Sequence, residues 1–118
     1  MWPQPPEQKQ EQPPEPEPPE EDESLAPRQY TFNPLQAEKE LKIGNFYFKK
    51  GSYKAAILRY QEALKWNQTY SDAYLRLGDA HARLKHEEAS REAYRKFLEL
   101  EPDSKRAREI REKLSAKN

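Results

Sequence analysis

Apolar and small side chains recur at intervals of three or four residues through most of the chain after residue 34. No stretch alternates between apolar and polar residues as a half-buried strand would. The pattern predicts an all-α fold with helices at about residues 34–50, 53–66, 71–84, 87–100 and 104–115. The second and last of these have apolar faces made of Ala56, Tyr60, Ala63 and Leu64, and of Ala107, Ile110 and Leu114.

Capping residues mark both ends of the first predicted helix. Asn33 is a good N-cap, and Gln36 has the position and the amide to return a capping-box hydrogen bond. Gly51 suits the left-handed conformation that often ends a helix. Upstream, Tyr30 and Phe32 are apolar enough to pack on the first helix as a hydrophobic staple.

The helical region repeats itself with a period of 34 residues. Shifting the sequence by that distance superposes Leu41 on Leu75, Gly44 on Gly78, and Tyr60 on Tyr94. Glu40, Ile43, Gly44 and Tyr47 in one copy, and Tyr74, Leu77, Gly78 and His81 in the next, follow the spacing W-x2-L-G-x2-Y. Ala56 and Tyr60, then Ser90 and Tyr94, follow A-x3-F, and Pro102 closes the second copy.

This period and these motifs resemble the tetratricopeptide repeat (TPR) family. The resemblance implies a right-handed α-solenoid fragment within residues 29–118. It would hold one helical hairpin at 37–70, a second at 71–104 and a capping helix at 104–115. In such hairpins, Gly44 and Gly78 allow the two helices to approach closely, and the rings of Tyr60 and Tyr94 fill the space between neighbours.

Three features depart from the family pattern. Glu40 stands where a large apolar residue is usual, as if the first helix had no preceding repeat to pack on. Phe97 replaces the small residue that Ala63 provides in the first copy, which suggests that it fills space against the final helix. Two repeats are also fewer than the three usually needed for a continuous core. The alternatives are marginal stability, self-association, or support from Tyr30, Phe32 and the last helix.

Residues 1–28 differ from the rest of the chain in composition. They hold eight acidic residues and two basic ones, near −6, whereas the remaining ninety residues hold nineteen basic and thirteen acidic ones, near +6. Ten of the eleven prolines lie within residues 1–34, and Leu25 and Ala26 are the only apolar side chains in 3–27. Such a segment cannot bury enough surface to fold, so we expect a disordered acidic tail. Its charge makes it a candidate for contact with the basic part of the same chain.

The residues offer little for catalysis, and we predict no enzyme, no cofactor and no metal site. The chain has no cysteine, no glycine-rich phosphate loop and no nucleophile with a base at a recognisable spacing. His81 and His86 are five residues apart, which does not place both on one helical face. His81 takes the ring position of Tyr47 in the first copy, and His86 falls in a turn.

Family resemblance also implies where a partner polypeptide would bind. The concave groove of TPR proteins is lined by the first helix of each hairpin, at the second, fifth, sixth, ninth, twelfth and thirteenth places of the repeat. Leu41 and Leu75 occupy the fifth places, where a lysine is needed to clamp a peptide's terminal carboxylate, which argues against that mode. The groove is instead predicted to be basic and to bind an extended or acidic peptide. The predicted binding residues are Lys42, Asn45, Lys49, Arg76, Asp79 and Arg83, and Glu38 and Asp72 are the other polar residues of the groove. The alternative is an ordinary solvated helix face.

Two further interpretations concern partners and location. The last helix carries Lys105, Arg106, Arg108, Arg111 and Lys113, a cluster typical of nucleic-acid binding, although Glu109 and Glu112 interrupt it and no aromatic residue interleaves. Residues 37–64 also resemble the first repeat of bacterial envelope proteins such as the lipoprotein of outer-membrane β-barrel assembly. The hypothesis is therefore a TPR adaptor or scaffold, cytoplasmic if Met1 is the true start and periplasmic if a leader precedes it.

Overall fold

The computed structural model describes residues 29–116, and its regular elements there are five α-helices. They are α1 (Pro34–Lys49), α2 (Tyr53–Trp66), α3 (Ser71–Arg83), α4 (Glu87–Leu100) and α5 (Lys105–Ala116). The all-α prediction is confirmed, and the five helices agree with the expected ones to within about a residue at each end. The predicted acidic tail lies outside the described residues. None of the five helices has both the length and the apolar character to cross a membrane.

The helices form two antiparallel hairpins, α1–α2 and α3–α4, and each hairpin is held by one glycine–tyrosine pair. A Cβ atom added to Gly44 would lie 2.6 Å from the Tyr60 ring, and one added to Gly78 would lie 2.5 Å from the Tyr94 ring. Real side chains never approach this closely, so only glycine permits the observed distance between the paired helices. The predicted role of the two glycines is confirmed.

Two apolar cores follow from this arrangement. The larger one joins both hairpins across α2 and α3, and its fully buried members include Ala56, Tyr60 and Ala63 of α2. The smaller one lies between the second hairpin and the last helix. It contains Leu75, Tyr94, Phe97 and Ile110. Phe97 therefore fills the space next to α5, as its size predicts.

The start of α1 differs from the prediction. Asn33 does cap the helix, because its Oδ1 accepts a hydrogen bond from the Gln36 backbone N–H at 3.0 Å. The expected return bond is absent from the described part of the chain, since the backbone N–H of Asn33 donates to the carbonyl of Trp66 at 2.9 Å. The Gln36 side chain donates instead to Glu40. A distant carbonyl thus replaces the capping box.

The predicted staple is also wrong. Phe32 is 72% exposed. Tyr30 packs edge-on against Trp66 at the end of α2, with ring centroids 4.7 Å apart, and its hydroxyl donates to Glu62. The segment before α1 is therefore anchored on α2 and not on α1, because Trp66 offers a larger apolar surface beside a carboxylate.

Glu40 is buried, although the departure from the family pattern suggested a helix face left open. Its Oε1 accepts a hydrogen bond from Arg59 Nη1 at 2.9 Å, and its Oε2 accepts one from Gln36 Nε2 at 3.2 Å. A buried carboxylate needs such partners to offset its desolvation. An ion pair across the hairpin therefore stands where other repeats of this pattern place an aromatic ring.

Candidate functional site

The candidate groove consists of the predicted polar positions of α1 and α3. These two helices are the first helices of their hairpins and contact each other directly. Their polar residues stand in equivalent places 34 residues apart: Glu38, Lys42, Asn45 and Lys49 on α1, and Asp72, Arg76, Asp79 and Arg83 on α3. All eight are exposed or half-buried. We call this set the groove.

At the middle of the groove, three polar side chains act on the hydroxyl of Tyr60. The hydroxyl donates to Asn45 Oδ1 at 2.7 Å. Burial raises the pKa of Tyr60 to about 12, while the nearby positive charge of Arg76 opposes this rise and the negative charge of Asp79 adds to it. Both charges are therefore close enough to act on the phenol. The bond to Tyr60 orients the Asn45 side chain, and the two N–H groups of its amide remain available as donors.

The second repeat contains the same contact with a charged acceptor. Tyr94 donates to Asp79 Oδ1, as Tyr60 does to Asn45 one repeat earlier. Burial is the main cause that raises the pKa of Tyr94, and the hydrogen bond and the charge of Asp79 reinforce it. Asp79 is thus held by a buried phenol, which fixes a negative charge within a groove that the sequence predicts to be basic.

One end of the groove combines cations with aromatic rings. The guanidinium of Arg83 lies 5.1 Å from the ring centroid of Phe48 and 5.4 Å from that of Tyr53, and its Nη1 donates to the Tyr53 hydroxyl at 2.6 Å. Lys49, which follows Phe48 in the sequence, is exposed. Neither ring was among the predicted site residues. Phe48 occupies the twelfth place of its repeat, which is one of the groove places of the family pattern. It is missing from the predicted site because that prediction considered only polar residues.

The opposite end of the groove is acidic. Glu38 forms an exposed ion pair with Lys42, with 3.7 Å between Oε2 and Nζ. Burial raises the pKa of Tyr70, and the carboxylates of Asp72 and Glu38 add to that rise. Both carboxylates therefore lie near the same phenol. The groove is not uniformly basic: it changes from carboxylates at the start of α1 and α3 to cations at their ends.

The two histidines come together, although they do not share a helix. The turn between α3 and α4 places the Nδ1 atoms of His81 and His86 3.1 Å apart. Burial lowers the pKa of His81, and the charge of His86 lowers it further. Sequence spacing hid this contact because it is a turn, and not helical periodicity, that creates it. Within residues 29–116, no group of three or more His, Cys, Asp or Glu is arranged to hold a metal ion.

Most cations of α5 already have intramolecular partners. Arg106 pairs with Glu109 at 3.1 Å, Arg111 donates to the carbonyl of Pro102 at 2.7 Å, and the Lys113 ammonium lies 5.6 Å from the centroid of the Tyr94 ring. The Arg106–Glu109 pair lies within α5, whereas Arg111 and Lys113 connect α5 to the turn after α4 and to α4 itself. Fewer cations of α5 are therefore free of contacts than the sequence suggests.

Comparison with known proteins identifies the repeats. A family model described as a TPR repeat matches residues 44–85, and one described as a tetratricopeptide repeat matches residues 71–104. A solved structure, the first TPR of Spaghetti (RPAP3) bound to the HSP90 peptide SRMEEVD, is 24% identical over 71% of this chain and 97% of that chain, with a TM-score of 0.35. No curated protein matches the chain significantly.

Proposed function

Because this chain is a tetratricopeptide repeat protein, we propose that it is a non-enzymatic protein-binding module whose groove takes an extended, acidic segment of another protein. The observation that carries the proposal is Arg76. It is half-buried beside the Tyr60 hydroxyl, yet within residues 29–116 it makes no hydrogen bond or ion pair. A guanidinium held in this way is suited to a carboxylate.

The neighbouring groups specify how the segment binds. Asn45 has amide donors that fit a backbone carbonyl, since its own oxygen is occupied by Tyr60. Arg83, stacked on Phe48 and Tyr53, and the exposed Lys49 favour further acidic residues at the same end. Glu38 and Asp72 disfavour acidic residues at the other end. We therefore propose that the segment binds in one direction, with its acidic part near Lys49 and Arg83.

The test uses a labelled peptide that copies residues 15–24 of this chain, EPEPPEEDES, which is rich in proline and carries six carboxylates. The protein is the full chain with the eight carboxylates of residues 1–28 replaced by amides, so that its own tail does not compete. We expect the peptide to bind with an affinity that falls as salt rises. Arg76→Gln should lower this affinity about tenfold, since a charge-assisted hydrogen bond is worth roughly 1.5 kcal/mol. The control is Arg95→Gln, which removes an exposed cation from α4.

Comparing the amide variant with the unmodified chain tests whether the acidic tail binds to the groove, as its charge suggests. If the tail binds there, the unmodified chain binds the labelled peptide more weakly than the amide variant does, and the difference disappears in high salt. Equal affinities mean that the tail does not reach the groove. No binding to either chain, or equal losses for Arg76→Gln and Arg95→Gln, contradicts the proposed acidic segment.

Nucleic acid is less favoured as a partner, because the α5 cluster that suggested it is largely committed to the internal contacts described above. A role in the bacterial envelope and self-association remain predictions. The first would be tested by locating the protein in fractionated cells, and the second by analytical ultracentrifugation of the full chain.

A further inference from the structure

One face of α1 is apolar and uncovered. Leu35, Lys39, Ile43, Phe46 and Lys50 follow one another at intervals of three or four residues, so they form one stripe along the helix and its C-cap. Leu35 is 73% exposed, Phe46 55% and Ile43 38%. We call this stripe the N-terminal face. It shares no residue with the groove, which lies on the neighbouring side of α1.

The second repeat shows what covers this face when a neighbour is present. The places 34 residues after Lys39, Ile43, Phe46 and Lys50 belong to α3 and its end, and there the side chains are buried or half-buried. They pack in one core with Ala56, Tyr60 and Ala63 of α2. The covered positions are Ala73, Leu77, Ala80 and Leu84.

Among the described residues, no helix takes the place of α2 beside the first repeat. Within residues 29–116, α1 packs only against α2 and α3, and neither covers the N-terminal face. The second repeat therefore shows what kind of element would fit the N-terminal face: a helix that lies along α1 as α2 lies along α3.

The charges on the face indicate the chemistry of the occupant. Lys39 and Lys50 replace Ala73 and Leu84 of the covered face. They are eleven residues apart, which corresponds to about 16 Å along a helix. Lys50 lies over the Phe46 ring, with its Nζ 5.1 Å from the centroid. An apolar stripe with a cation toward each end matches an amphipathic helix that carries acidic residues beside its apolar face.

We propose that the N-terminal face docks an acidic amphipathic helix of another protein. A second copy of this chain fits less well, since two such faces would bring Lys39 and Lys50 against each other. Stacking the face on the open side of α5 would set it against the cations Lys105 and Arg108. Residues 3–27 of the chain have the right charge but only Leu25 and Ala26 as apolar side chains, too few to cover Ile43 and Phe46.

The probe is a hydrocarbon-stapled peptide that copies α2, residues 53–66, with Lys54, Arg59 and Lys65 replaced by glutamate. The control peptide keeps the three cations. We expect the full chain to bind the acidic peptide and to show amide shift changes along α1, with none at the groove residues of α3. Phe46→Ser should weaken this binding at least about tenfold, because it removes a large apolar contact. The matched variant Leu58→Ser, at an apolar side chain 45% exposed on α2, should not.

A charge exchange tests the proposal without altering the apolar surface. The double variant Lys39→Glu/Lys50→Glu should lose affinity for the acidic peptide and gain affinity for the control peptide. Arg76→Gln should leave both affinities unchanged. The proposal is overturned if Phe46→Ser binds the acidic peptide as the parent does, or if the shift changes include the groove residues of α3. It is also overturned if the acidic peptide binds only after the tail carboxylates have been replaced by amides, since the tail would then be the occupant of the face. A dimer that Phe46→Ser dissociates would assign the face to a second copy instead.

Discussion

The two hairpins share one internal design but differ in how they meet the next helix. In each, a glycine of the first helix receives a tyrosine ring of the second, and that tyrosine donates to a polar residue one place beyond the glycine. The difference lies three residues after the tyrosine. Ala63 allows α3 to pack closely on α2, whereas Phe97 fills the space under α5, which packs on α4 over a smaller core. The design within a repeat is therefore constant, and the residue facing the neighbour is adapted to that neighbour.

The largest expected effect on stability comes from removing the ring of Phe97, the residue adapted to α5. Phe97→Ala should destabilise the chain by about 3–5 kcal/mol, because it leaves a cavity among Leu75, Tyr94 and Ile110. Urea denaturation followed by circular dichroism measures the loss. Leu58→Ala, at an exposed side chain, serves as the control and should change stability by about 0.5 kcal/mol or less. A loss below about 1 kcal/mol for Phe97→Ala would mean that α5 contributes little to the fold.

The sequence predicts the constant part of this comparison well. Gly44, Gly78, Tyr60 and Tyr94 lie at a fixed period, and each choice reflects packing within one hairpin that any copy of the repeat must satisfy. Helix boundaries follow from local caps such as Gly51. These features depend on residues close in sequence or on a spacing that the repeat itself displays.

Contacts that cross between elements were predicted less well. Gln36 bonds Glu40 because the carbonyl of Trp66, 33 residues along the chain from Asn33, already accepts from the Asn33 N–H. Arg59 makes the burial of Glu40 possible, and no local sequence pattern predicts that Arg59 is its partner. In the candidate groove, the positions were derived from the family pattern, but the acidic end near Tyr70 and the aromatic contacts of Arg83 depend on how α3 lies beside α1.

A second pair of variants examines the shared design directly. Gly→Ala in an exposed helix normally stabilises by up to about 1 kcal/mol. Gly44→Ala and Gly78→Ala should instead each destabilise by about 1–3 kcal/mol, because the new methyl group overlaps a tyrosine ring that its own hydrogen bond holds in place. Thermal melts of both variants check the sign. A stabilised variant would show that the ring moves aside easily.

The tyrosine hydroxyls distinguish the repeats more finely. Tyr94 donates to a carboxylate and Tyr60 to a neutral amide. Hydrogen bonds to charged groups contribute more, so Tyr94→Phe should cost about 1.5 kcal/mol and Tyr60→Phe about 1 kcal/mol. The double variants Tyr94→Phe/Asp79→Ala and Tyr60→Phe/Asn45→Ala complete thermodynamic cycles that isolate each pair. Equal coupling energies would contradict the distinction between the charged and the neutral acceptor.

The smallest difference lies in the turn within each hairpin. Gly51 has φ of 83°, and Lys85, its equivalent, has φ of 64°. A side chain in this left-handed conformation is unfavourable, and nothing lies within 4 Å of a Cβ atom added to Gly51, so the effect is one of backbone conformation alone. Lys85→Gly should therefore stabilise the chain by about 0.5–1 kcal/mol, and Gly51→Lys should destabilise it by a similar amount. Melting temperatures of the two single variants and of the exchange double variant measure both effects. The two turns are equivalent in backbone geometry if the single variants change the melting temperature in opposite directions and the double variant leaves it unchanged. If Lys85→Gly lowers the melting temperature, the Lys85 side chain contributes stability that its left-handed backbone does not predict.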